Sequence, residues 1–286
     1  MIPGLGIGPA RPVQLRHGLA TRPATAATVR VLTGADEAAL GGGNGPGGEH
    51  WVTLVLATAV AELGGSRPEP EELRALSVGD RNALLLALVA STYGSLVEWV
   101  LDCPSCGERL DAAVDLVELL GDAAHAPAAP RPPAGLPAFR LPTGADLEAL
   151  AELLPAVPGP AVGDPAADDP AEQARRLLLD RCVTAWHTVD EATVAAVETT
   201  MAATDPLADI ELLLSCAACA APVPAVLDPA AELAARLTPH RRLMTDVHAL
   251  ALAYGWTEPE VLALPAPRRA GYLTLIADGE AWAGDQ

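Results

Sequence analysis

LDCPSCGERLDAAVDL occupies residues 101–116, and LSCAACAAPVPAVLDP occupies residues 214–229. Each stretch holds two cysteines three positions apart, between short runs that alternate apolar and polar residues. That is the period of a strand with one buried face. A Cys-x-x-Cys turn between two strands reads as a zinc knuckle. The turn aims both sulfurs inward, and backbone amides near the second cysteine stabilise the thiolates. One knuckle supplies two ligands, whereas a closed structural zinc site needs four. Cys103 and Cys106 in the first stretch, with Cys216 and Cys219 in the second, make up that set for a structural Zn2+.

The separation, 216 − 103 = 113 residues, is no obstacle. Loop-closure entropy grows with the logarithm of length, adding about 2 kcal/mol over a 15-residue spacing. Zinc binding in small fingers is worth about 10–16 kcal/mol at neutral pH. CPSCG (103–107) is the better knuckle, because Gly107 permits a turn with positive φ; CAACA (216–220) has Ala220 at that place. Two other readings stay open. The cysteines are former ligands that now fill small apolar positions, as free cysteine often does. Or they form a redox pair, although that chemistry usually sets the first cysteine at a helix N-terminus, and here strands follow.

The chain has 286 residues, half of them apolar, so it can bury a core; aromatic residues are only 3 %, so aliphatic side chains carry it. Lysine is absent and all 18 cations are arginine, which excludes a phosphate-loop lysine and a Schiff-base lysine. The formal charge of −19 and the scarcity of aromatic rings argue against nucleic-acid binding and favour basic protein partners. The first thirty residues lack a sustained apolar run, and the longest apolar runs (51–61 and 83–90) fall far short of a membrane span. A cytoplasmic protein with no membrane association is expected. Thiols stay reduced there, which favours metal ligation over disulfides.

The chain also repeats itself. VRVLTGADEAAL (29–40) returns as FRLPTGADLEAL (139–150), with an offset of 143 − 33 = 110 at the threonine, close to the 113 between the cysteine pairs. Thr33 and Thr143 read as N-caps, with Asp36 and Asp146 at the third helical position. Helices are predicted at 49–63, 77–94, 171–186, 190–204 and 230–254, the last interrupted near Pro239. Gly255 is a C-cap candidate, and Thr257 with Glu260 forms a capping box for a short helix that ends at Leu264-Pro265. The predicted organisation is a flexible tail (1–27), a first repeat (28–121), a linker (122–137), a second repeat (138–228) and a C-terminal helical unit (229–286) without a counterpart in the first repeat. The fold class is α+β, mainly helical: two pseudo-repeats of strand, helices and Cys-x-x-Cys hairpin, whose hairpins pair as a zinc-ribbon-like unit, plus C-terminal helices.

Other constellations carry less. Gly43, Gly45 and Gly48 fit a GxGxxG spacing, but a helix precedes them where a strand is needed. The acidic residues Asp164, Asp168, Asp169 and Glu172 are too irregularly spaced for a calcium loop. The histidines at 17, 50, 125, 187, 240 and 248 are scattered, and Cys182 lies in an apolar helix where core packing outweighs a role with His187. No catalytic residue and no small-molecule substrate is indicated.

MAATDPLADIELLLSCAACAAPVPAVLDP, followed by LMTDVHALALAYGWTEPEVLALPAPRRAGYLTLI, resembles a family from tailed phages and phage tail-like contractile injection systems, described as baseplate hub assembly proteins or chaperones. The DPLADI–strand–CxxC segment, the helix ending Tyr254-Gly255-Trp256, and the runs at 258–264 and 268–273 carry the match. The resemblance spans roughly residues 28–278 and is strongest in the last eighty. It implies a non-enzymatic protein that binds baseplate hub or tail proteins during assembly. The alternative is a zinc-ribbon regulatory or nucleic-acid-associated protein, with Arg241, Arg242, Arg268 and Arg269 as its basic clusters; a third is a thiol oxidoreductase.

Overall fold

The computed structural model describes residues 10–19, 21, 25–41, 48–125, 135–154 and 169–284. Gly43, Gly45 and Asp164 and Asp168 of the acidic loop lie outside these residues. The architecture is α+β and mainly helical, with three small antiparallel sheets.

The first sheet has three strands in the order β1 (Arg11–Gln14), β2 (Ala26–Val29) and β3 (Val60–Leu63). The predicted tail thus contributes a strand: Val13 and Leu15 are buried, and the Asp80 carboxylate accepts the backbone amides of Arg16, His17 and Gly18 at 2.7, 3.1 and 2.6 Å. β3 is a second departure. The helix predicted over 49–63 ends at Ala59, because Val60 turns to an extended conformation and pairs with Val29. Between β2 and β3 lie α1 (Gly34–Gly41) and α2 (Glu49–Ala59). Then come α3 (Pro70–Ala75) and α4 (Val78–Tyr93), the latter capped by Ser77, which accepts the Asp80 amide. α4 is buried nearly all round, and its leucines and valines form the centre of the main core.

β4 (Leu96–Asp102) and β5 (Arg109–Asp115) form the first hairpin, followed by α5 (Leu116–His125), an unpredicted helix that ends the first repeat and runs into the segment predicted as linker. Asp115 starts it by accepting the amides of Val117 and Glu118. The second half runs through α6 (Gly144–Leu153), α7 (Pro170–Cys182), α8 (Glu191–Thr204) and a second hairpin, β6 (Glu211–Ser215) with β7 (Pro222–Val226). α7 stops four residues earlier than predicted, where Val183 turns extended and Ala185 takes a left-handed conformation. α9 (Pro229–Arg236), α10 (His240–Tyr254), α11 (Glu258–Leu262) and α12 (Ala266–Gly284) complete the chain. Thr238-Pro239 separates α9 from α10, Gly255 caps α10 with φ 69°, and Thr257 and Glu260 form the predicted capping box.

The two Thr-Gly-Ala-Asp segments build the same hydrogen-bonded unit. Arg30 grips Asp36 with two bonds of 2.7 and 2.8 Å, and Arg140 grips Asp146 with bonds of 2.6 and 2.9 Å. The hydroxyl and amide of Thr33 donate to Asp36 as those of Thr143 donate to Asp146. The Arg30 amide reaches the Ala59 carbonyl and the Arg140 amide reaches the Cys182 carbonyl, both at 2.9 Å.

A further correspondence is absent from the sequence reading. Residues 69–81 and 257–269 share an offset of 257 − 69 = 188. Each begins with a capping box (Glu69/Glu72, Thr257/Glu260) and buries Leu73 or Val261. The Leu76 carbonyl accepts the Gly144 amide at 3.2 Å, and the Leu264 carbonyl accepts the Gly34 amide at 3.0 Å. The guanidiniums of Arg81 and Arg269 then lie under Gly144 and Gly34, where a Cβ would collide with them. α11 and the start of α12 therefore have a counterpart in α3 and the start of α4. Each such segment docks on a Thr-Gly-Ala-Asp helix distant in sequence: α3 and the start of α4 on α6, and α11 and the start of α12 on α1.

The main core is also shared between the halves. Ile210, Leu227, Leu233 and Leu237 join residues of α1–α4 in it, and Trp99 on β4 donates to Glu232 on α9 at 2.9 Å. A smaller core joins α7 and α8 through Leu179, Cys182, Val194 and Val197.

Candidate metal centre

The two knuckle turns are built alike. In the first, the Cys103 amide donates to the Glu108 carbonyl at 2.8 Å and the Gly107 amide to the Cys103 carbonyl at 2.9 Å. In the second, the Cys216 amide donates to the Ala221 carbonyl at 2.9 Å and the Ala220 amide to the Cys216 carbonyl at 2.8 Å. Gly107 has φ 74° and Ala220 φ 56°. Both are left-handed, so the second turn takes the same shape although its residue resists it.

The hairpin strands bring the turns together. Leu101 and Leu110 of the first hairpin and Leu214, Ala221 and Val223 of the second pack around Cys103 and Cys216, which are buried. Cys106 and Cys219 are exposed. The sulfur of Cys103 lies 3.7 Å from that of Cys219, and the sulfur of Cys106 lies 3.8 Å from that of Cys216. All four sulfurs fall within 4.8 Å of one another.

These distances discriminate between chemistries. Sulfurs placed tetrahedrally about 2.3 Å from one ion stand about 3.8 Å apart, whereas a disulfide holds its sulfurs at about 2.05 Å. All five cysteines are free thiols. The four therefore stand where a single metal ion could take a sulfur from each, and the sequence-predicted set is complete. The electrostatics agree with this. The amides of Ser105 and Cys106 hold the Cys103 thiol down at about 7. Cys106 accepts the Glu108 amide, yet the thiols around it, Cys219 first, push it up to about 12. Crowded thiols resist becoming four adjacent anions unless a cation sits among them.

The remaining candidates are not brought together. Cys182 is buried with its sulfur 4.0 Å from Asp146, and burial pushes its thiol up to about 11. His187 turns to Asp180 at 2.9 Å. Of the four arginines read as basic clusters, Arg269 is buried against Glu37 and Arg268 lies over the ring of Tyr272. Arg241 and Arg242 are exposed. Among the described residues no helix is long and apolar enough to cross a membrane.

The sequence reading missed the buried charge nodes that join the halves. Glu148 on α6 accepts from Thr53 and faces Arg74 at 2.7 Å. Glu37 on α1 faces Arg269 and accepts from Tyr93 at 2.8 Å. The 188-residue offset between Arg81 and Arg269 was the signal that could have found them. No family model, curated protein or solved structure matches this chain.

Proposed function

We propose that this protein is a non-enzymatic assembly factor or structural component for the baseplate hub of a phage tail-like contractile injection system, held rigid by one structural zinc ion. The observation that carries the scaffold part is the clustering of the four sulfurs within 4.8 Å between the two hairpins, with the two cross-hairpin pairs 103/219 and 106/216 near the tetrahedral edge, at 3.7 and 3.8 Å. Zinc suits four thiolates in this geometry, and a site filled by four protein ligands keeps no open position for water or substrate. Cys103 and Cys106 would hold the ion from one side and Cys216 and Cys219 from the other, as a zinc-ribbon-like unit. Repetition of the Arg–Asp–Thr unit at an offset of 110 and of the hairpins at 113 supports descent of the halves from one duplicated ancestor. The baseplate part rests on the resemblance carried by 201–229 and 243–276.

Two measurements test the proposal. Native mass spectrometry of the cytoplasmic protein should show one zinc per chain, and none in a Cys106→Ser/Cys219→Ser variant. Expression of the whole native gene cluster should bring baseplate hub or tail components down with this chain. Zinc-loaded protein that stays a lone monomer under gentle lysis would remove the assembly role. A steep salt dependence of binding to DNA would favour the regulatory alternative instead.

A further inference from the structure

The helix pair α7–α8 occupies the place in the second half that α2 and α4 occupy in the first. The matching bonds from Arg30 to Ala59 and from Arg140 to Cys182 set the register of α7 on α2 at 182 − 59 = 123. The N-caps Ser77 and Asp190 set that of α8 on α4 at 190 − 77 = 113, the spacing of the cysteines. Val52, Val55, Leu56 and Ala59 then fall on Arg175, Leu178, Leu179 and Cys182, and Leu85 and Leu88 fall on Glu198 and Met201.

In the first half all six positions are buried. α2 is covered by α1, α3, α4 and α6, and α9 lies along α4: Pro229 and Ala230 line a cavity with Val52 and Leu85, and Leu233 and Leu237 belong to the same core. In the second half the equivalent residues line an open cleft of about 490 Å³. Leu179 and Cys182 form its floor, Leu178 and Met201 its walls, and Arg175 and Glu198, paired at 2.6 Å, its rim. Among the described residues no helix lies over α8 as α9 lies over α4.

We propose that this cleft docks a short amphipathic helix of a partner protein, with an aliphatic face like that of α9 and basic flanks. The proposal rests on the reading of the protein as a binding scaffold and names the place and chemistry of the binding. The aliphatic face follows from the lining, whose first-half equivalents share a core with Leu233 and Leu237 of α9. Helix-in-groove recognition uses apolar anchors at such i, i+4 spacing. The basic flanks follow from charge. Three carboxylates, Glu172, Glu191 and Glu198, stand against two arginines, Arg175 and Arg176, which leaves one negative charge in excess at the rim of a chain of net charge −19. A polar rim around an apolar floor is the ordinary anatomy of a reversible interface.

The test uses the full zinc-loaded chain labelled with ¹³C in its methionine methyl groups. The chain has three methionines, Met1, Met201 and Met244, of which Met201 lines the cleft. The probes are a capped peptide of residues 227–238, LDPAAELAARLT, and the same peptide carrying Glu232→Arg. Both peptides are expected to move the Met201 methyl signal saturably and leave Met244 in place. The Arg peptide should bind more tightly at low salt and lose that advantage at about 0.5 M salt, where the Debye length is only a few ångströms. Leu178→Arg should weaken binding at least about tenfold, the loss of one good apolar anchor. Ala174→Arg, at a half-buried position of the cleft lining, should do the same if the first variant fails to fold. A Met201 signal that stays still up to about 1 mM peptide, a weaker affinity than any specific anchor pair gives, overturns the proposal. So does an unchanged shift in both variants, or a shift confined to Met244. Metal content of the same sample separates the two readings: a protein without zinc speaks against the scaffold, and a zinc-loaded protein with a silent Met201 speaks against the cleft alone.

Discussion

Ala220 is held in a left-handed conformation, φ 56°, in a turn whose partner uses Gly107 at φ 74°. A Cβ in that region costs about 1–2 kcal/mol, and glycine returns part of this through its larger unfolded-state freedom. Ala220→Gly is therefore expected to stabilise the zinc-loaded protein by about 0.5–1 kcal/mol, and Gly107→Ala to destabilise it by a similar amount. Urea unfolding of both variants reads the difference. Asp146 supplies a second test. Burial alone would raise its carboxyl, but Arg140, Arg181 and Thr143 all donate to it and hold it far below the usual carboxylate range. A depressed folded-state pKa gives stability that is complete above the unfolded value of about 3.9 and is lost as pH falls through the folded value. Asp146→Asn should cost about 2–3 kcal/mol at pH 7, a discounted figure for a buried partner whose arginines are half exposed. It should also flatten the acid limb of the stability–pH curve below about pH 4. A variant with an unchanged acid limb would remove this role.

Among the elements, helices with strong punctuation were legible. Ser77 and Asp190 fix the starts of α4 and α8, and Gly255 fixes the end of α10, as their local chemistry dictates. β1 and β3 were not legible, because four-residue strands owe their existence to pairing with β2 rather than to any local pattern. α5 was hidden by its neighbours: its apolar face ends in the alanine- and proline-rich stretch that read as a linker. The four-cysteine cluster was readable because two Cys-x-x-Cys pairs between strands suggest one four-sulfur set. The buried Arg81 and Arg269 were not, since nothing local says that a guanidinium will be covered by a glycine from the far half. Those glycines now carry an expectation. Gly144→Ala would drive a Cβ into the guanidinium of Arg81, which is 2 % exposed and cannot swing into solvent. It should destabilise the protein by about 1–3 kcal/mol, the usual range for overpacking. Amide exchange should then quicken first in α6.

For the whole molecule, the four-cysteine cluster joins segments 113 residues apart, since 216 − 103 = 113. Chelation at neutral pH should lower the melting temperature. It should remove about 4 kcal/mol if the working free zinc stands about a thousandfold above Kd. Hairpin amides of β4–β7 should lose protection before those of α4, because α4 keeps its aliphatic surroundings without the ion. Equal loss of protection in both regions would mean that the ion holds up the entire molecule rather than its clamp.

The position of α9 on α4 also has a consequence on the ribosome. The core around α4 contains residues up to Leu116 in the first half but is closed by Leu233 and Leu237, so 237 − 116 = 121 further residues must be polymerised first. At about 5–20 residues per second that interval is about 6–24 s. Throughout it, a helix rich in leucine stands uncovered in a nascent chain, so a holdase that shelters it would raise the yield of native protein.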